Sequence, residues 1–165
     1  MKKLVSIAIA AAMLGTPLYA QDYAQDRNII VEPSEDAFVT TLGHRLEREL
    51  DRVSYPSGVR QSGVVKVRFV ANGSGEAEQV SLFQDSGNRR MDLAALRAVD
   101  RLHGLGSPRH ATDDGQAVLL NIIFATSERE AERLAERVAE ETATMIASGE
   151  LDPKMLAVTM VPARS

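Results

Sequence analysis

Residues 118 to 124 read Val-Leu-Leu-Asn-Ile-Ile-Phe, a nearly continuous apolar run inside Ala117 to Ala125. A segment this short has the length of a strand rather than of a helix. Strand side chains point to the two faces of a sheet in turn, and here neither face is polar. Both faces must therefore be covered, or the strand must lie centrally or against a partner. Any fold for this chain has to supply that cover.

The neighbouring segments supply candidates. From Ser34, an N-cap after Pro33, the residues Phe38, Leu42, Leu46, Leu50 and Val53 recur at helical spacing while Arg45, Glu47, Arg48, Glu49 and Asp51 face out, which predicts an amphipathic helix. Tyr55-Pro56-Ser57-Gly58 breaks it. Val65, Val67, Phe69 and Ala71 then alternate with Lys66, Arg68 and Val70, the period of a half-buried strand. Asn72 to Gly75 supplies a turn, and a second strand from about Glu76 to Gln84 returns antiparallel. After the loop Asp85 to Asn88, Met91 to Leu102 predicts a short helix ended by Gly104, Gly106 and Pro108. Beyond the apolar run, Ser127 and Glu130 form a capping box for a helix to about Ser148, with Gly149 as its stop. Ala131, Ala135, Val138, Thr142 and Met145 make one stripe of it, and Arg133, Glu136, Arg137 and Glu140 the other face. Alternation at Met155 to Val161 predicts a last strand.

The fold class that follows is α+β: a small antiparallel three-stranded sheet packed by helices in the order helix, hairpin, helix, strand, plus an added C-terminal helix and last strand. The expected division is a signal peptide over 1–20, a lead-in over 21–33, a domain over 34–126, and a helix and tail over 127–165. The first twenty residues carry Lys2 and Lys3, an apolar run from Leu4 to Gly15 and a small residue at Ala20, the form of a cleavable secretory signal. Retained, the same segment would be a short membrane anchor, although a full span needs about 20 apolar residues.

Cleavage after Ala20 removes two lysines and no acid, taking the formal net charge from -4 to -6. An acidic chain without a basic run argues against a nucleic-acid partner. With no cysteine, no disulfide staples the fold in an oxidising compartment, so the core must hold it.

The residues offer little for chemistry. His44 sits among charged residues on a helix, and His103 and His110 share a loop with Asp113 and Asp114 without the spacing of a metal motif. A metal-binding protein or enzyme built on His103 and His110 is the least favoured reading. Ser86 lacks the strand-to-helix elbow of a serine nucleophile, and Gly73-Ser74-Gly75 lies inside a hairpin where no helix N-terminus can hold a phosphate. We assign no catalytic residue, no metal and no cofactor.

Several of these residues together resemble the TonB C-terminal domain. Tyr55-Pro56 before Gly63-Val64-Val65-Lys66-Val67-Arg68-Phe69 is similar to that family's Tyr-Pro start and glycine-led first strand. Ser86-Gly87 and Met91-Asp92-Leu93-Ala94-Ala95-Leu96 resemble its Ser-Gly loop and Leu-Asp-x-Ala-Ala-Leu helix, and Val118 to Phe124 its closing strand. The resemblance implies a protein partner, an extended segment of an outer-membrane transporter, that adds as a strand to a sheet edge. By the same resemblance the partner-binding edge is Tyr55, Leu119, Leu120, Asn121, Ile122, Ile123 and Phe124; export by the signal peptide makes the expected location periplasmic. A homodimer is the other partner arrangement left open.

The chain departs from a full transducer in its flanks. Leu4 to Ala20 holds no histidine, and Gln21 to Pro33 has one proline and reaches at most about 45 Å. The expectation is thus a recognition module without energy transduction of its own, with a short membrane-tethered transducer as the alternative. If Met155 to Val161 joins the sheet, it would occupy an edge that a partner would otherwise use.

Overall fold

The computed structural model describes residues 35–53, 61–106 and 114–162. The signal peptide, the lead-in, Ser34 and Tyr55-Pro56 lie outside the described residues, as do His110 and Asp113.

Helix α1 spans Glu35–Arg52. Its apolar stripe is the predicted one: Phe38, Leu42, Leu46 and Leu50 are buried, while His44, Arg48 and Asp51 are exposed; Glu49, expected to face out, is instead buried, with its carboxylate against Arg52. Strands β1, Gly63–Ala71, and β2, Ala77–Gln84, form the hairpin. Asn72 organises its turn, the side-chain oxygen accepting hydrogen bonds from the N–H groups of Ser74 and Glu76 and from the Ser74 hydroxyl. Gly75 has φ +78°, and a Cβ there would lie 2.6 Å from the N of Gly106. The turn thus needs glycine twice over, for its dihedral and for the close approach of the segment after the next helix.

That helix, α2, runs Arg89–Asp100 with Asn88 as its N-cap accepting from the Arg90 N–H. Strand β3 covers Gln116–Phe124, helix α3 Glu128–Ala147 and strand β4 Leu156–Met160. The sheet order is β2-β1-β3-β4. β1 and β3 are antiparallel over nine uninterrupted pairs, from Gly63 with Phe124 to Ala71 with Gln116. The β1–β2 ladder carries two register shifts, and β4 is parallel to β3. A parallel pair needs a crossover, and α3 is that crossover.

Three layers result. Val65, Val67, Phe69 and Ala71 of β1, Val118, Leu120, Ile122 and Phe124 of β3, and Val158 of β4 join the α1 and α2 residues in one core. The opposite face is covered by α3, where Val138 is buried and Ala131, Ala135, Thr142 and Met145 are half-buried as predicted, together with Leu134 and Glu141. Both faces of the apolar run are thereby covered. One strand residue departs from the expected pattern: Lys66, in the outward-facing set, is 1% exposed. The cause is α3, which lies over it and brings Glu141 Oε2 to 2.7 Å from Lys66 Nζ.

At the start of α3, the Ser127 hydroxyl accepts from the Glu130 N–H as a capping box requires. The Glu130 carboxylate reaches one residue further back than the motif predicts, to the N–H and hydroxyl of Thr126. Hydrogen bonds from the Ser62 and Thr126 hydroxyls and from the Thr126 N–H lower its pKa from 4.5 to about 2. Ser62 precedes β1, so this carboxylate ties the beginning of the sheet to the beginning of α3. No helix among the described residues is long and apolar enough to cross a membrane.

Candidate binding edge

The residues expected to form a partner-binding edge lie on β3, except Tyr55, which is outside the described residues. Leu120, Ile122 and Phe124 belong to the core shared with α1 and α2. Leu119, Asn121 and Ile123 alternate with them and are buried on the α3 face. Side chains are thus spoken for on both faces, and what β3 offers a partner is its backbone on the side away from β1.

That side is occupied from Val118 to Ile122. β4 lies along it with Val118 opposite Leu156, Leu119 opposite Ala157, Leu120 opposite Val158, Asn121 opposite Thr159 and Ile122 opposite Met160. Ile123 and Phe124 lie beyond the last of these pairs. The edge that the resemblance assigned to a partner holds the chain's own tail, so the expected last strand is present and lies where a partner would otherwise add. The physical reason is proximity: the turn after Gly149, which has φ +75°, returns the chain from the end of α3 to the sheet within a few residues.

Three contacts set the position of β4. The Gln116 side-chain amide donates to the carbonyl of Lys154 at 2.8 Å, fixing the approach to the strand. Met160 lies against α1 at Gly43, where a Cβ would stand 2.6 Å from Met160 Cε. Asn121 Nδ2 donates to Thr159 Oγ1 at 3.3 Å. Asn121 is 1% exposed and its Oδ1 has no partner among the described residues. Turning the amide over would pair the oxygen and strand the nitrogen, so one end stays unsatisfied either way.

Of the histidine and aspartate set on the loop after α2, only His103 and Asp114 are among the described residues. His103 is exposed, its Nδ1 2.8 Å from the carbonyl of Arg101, and Asp114 is exposed too. Among the described residues no group of three His, Asp or Glu side chains could hold a metal ion. Asp92 and Ser86 do meet, but the contact is structural. The Ser86 N–H and hydroxyl both donate to Asp92 Oδ1, which pins the loop before α2 to that helix.

Residues 54–125 match the family model described as Gram-negative bacterial TonB protein C-terminal. This segment is a TonB C-terminal domain. No curated protein and no solved structure matches the chain. The TonB C-terminal domain is a protein-interaction module of envelope transport in Gram-negative bacteria. The matched residues take in β1, β2, α2 and β3; α1, α3 and β4 lie outside them. Within the TonB segment alone the strand order is β2-β1-β3, with β3 outermost. The fourth strand comes from sequence beyond it.

Sequence reasoning missed three members of this site: Gly43, Gln116 and the polar pairing of Asn121 with Thr159. Gly43 carried a signal, since a glycine inside an otherwise strong helix costs about 1 kcal/mol and calls for a packing reason. The other two depend on register across the sheet, which local pattern does not encode.

Proposed function

We propose that this chain is a periplasmic recognition module that takes up an extended segment of an envelope protein, an outer-membrane transporter being the leading candidate, by strand addition at β3. Its own β4 competes for the same backbone. The partner's N–H and C=O groups would pair with β3 from Val118 to Ile122, and the face toward α1 would select side chains. On this reading the chain carries out no reaction and transduces no energy itself. The N-terminal segment acts as a cleavable export signal.

One observation carries the reading. The outer side of β3 in the TonB segment accepts a strand within this very molecule, and that strand lies outside the matched residues. An edge that holds a five-residue strand through backbone pairing and packing against α1 is an edge that a partner segment of similar shape can use.

The test is a reversible lock. The chain has no cysteine, so Asn121→Cys with Thr159→Cys introduces one disulfide between two side chains already in contact. Paired strands run about 4.8 Å apart, within reach of a disulfide. Oxidised and reduced forms are then used to capture proteins from a Gram-negative envelope extract. Outer-membrane transporters retained by the reduced form alone are the expected result; retention that ignores the lock would exclude β3 as the binding strand.

A further inference from the structure

The occupant of a site describes the site. Leu156, Val158 and Met160 of β4 turn to the α1 side with Val118, Leu120 and Ile122, and only Val158 is fully enclosed, at 5% exposure. Ala157 and Thr159, between them, are exposed. The groove therefore has one closed central position flanked by two half-open ones. The last is shaped by Gly43, whose missing side chain is the space that Met160 fills. Glycine is unfavourable in a helix interior, and this contact accounts for its presence. On the other face, the buried Asn121 amide reaches Thr159 Oγ1 at 3.3 Å and leaves Oδ1 without a partner. A longer side chain with both donor and acceptor at the Thr159 position would satisfy it better than a hydroxyl does.

We propose that the β3 edge reads sequence, with β4 as a built-in stand-in for the ligand. The ligand is an extended protein segment parallel to β3, apolar at three alternate positions, with a long unbranched side chain at the last and a hydrogen-bonding side chain between the second and third. This rests on strand addition at β3 and names what that site selects. A segment adding instead to the outer side of β4 would meet backbone only, because the α1 groove would stay filled.

The probe is a fluorescein-labelled peptide with the sequence of residues 154–162, KMLAVTMVP, followed by anisotropy against the full chain. Val158→Asp places a carboxylate in the closed position of the tethered strand and unseats it without altering β3. This variant is expected to bind the peptide at least tenfold more tightly than the unsubstituted chain. Exchanging the peptide's threonine for glutamine should strengthen binding and exchanging it for valine should weaken it several-fold. The rearranged peptide KMALTVMVP, with its leucine and first valine moved to the other face, should not bind in the parent register at concentrations that saturate with the parent.

A Val158→Asp chain that melts cooperatively yet fails to bind the parent peptide overturns the proposal. So does equal binding of the parent and rearranged peptides. Met160→Asp, at the half-open end of the strand, serves as a second variant. Loss of the fold in both would make β4 a fixed part of the core and overturn the proposal as well. Equal binding of the two peptides removes only the specificity argued here and leaves strand addition standing. Envelope capture that is indifferent to the disulfide lock removes strand addition itself.

Discussion

Lys66 Nζ on β1 lies 2.7 Å from Glu141 Oε2 on α3, joining two elements 75 positions apart through a lysine that is 1% exposed. The Glu141 side chain is 43% exposed at the rim, so the ammonium is the buried member and the acid its outlet to solvent. Removing the acid strands the ammonium under α3. Because the carboxylate is partly solvated, we expect Glu141→Ala to cost about 1–2 kcal/mol in urea denaturation, toward the low end for a broken buried pair. Lys66→Met keeps the stem and discards the charge, and should come out near neutral. Equal stability of Glu141→Ala and the parent chain would make the pair idle.

The Glu130 carboxylate gives a pH signature. Its folded pKa of about 2 lies below its ordinary 4.5, so the stability it contributes is complete above pH 4.5 and is lost as pH falls from there through about 2. Glu130→Gln removes the titrating group. Melting temperatures taken between pH 2 and 5 should fall less steeply for the variant, with the two curves parallel above pH 5. Curves parallel throughout would mean that the hydrogen bonds from Ser62 and Thr126 do not distinguish the two protonation states.

Gly75 should be nearly irreplaceable. An alanine there would adopt φ +78° with its Cβ 2.6 Å from Gly106 N and 2.9 Å from Leu105 N, both backbone atoms that cannot rotate aside. Strain and overpacking together should cost at least about 2 kcal/mol. Gly73, two residues earlier, has nothing within 4 Å of a built Cβ, so Gly73→Ala is the matched control and should change stability little.

Gly43→Ala should separate global from local stability. The helix gains up to about 1 kcal/mol of propensity, while the new methyl displaces Met160 Cε, the mobile end of a flexible side chain. Hydrogen exchange should therefore quicken at the β4 amides although the melting temperature holds or rises. Slower exchange at β4 would contradict the groove at Gly43.

Much of this architecture could be read from local pattern. The stripe Phe38, Leu42, Leu46, Leu50 and the alternation of Val65, Val67 and Phe69 each name a buried face without help from distant residues. The run Val118 to Phe124 announced that it needed cover on both faces, and α3 provides it. What escaped was pairing at long range. Lys66 looked solvent-facing because its partner lies 75 positions away, and nothing near Asn121 in the sequence indicates that Thr159 will stand beside it. The matched segment ends at residue 125, so the strand that lies along the outer side of β3 comes from a part of the chain that the family pattern does not describe.

The nine unbroken pairs between β1 and β3 have one more consequence. A slip of a single residue there would turn Val65, Val67 and Phe69 away from the core, so the ladder has one register and holds β3 to it. Any strand laid along the far side of β3 then meets a fixed reading frame. A segment one residue out of phase would present its apolar residues to the solvent and its polar ones to Gly43 and Leu120. On the proposed reading, selectivity at β3 is set by β1, a strand that the partner itself would not touch.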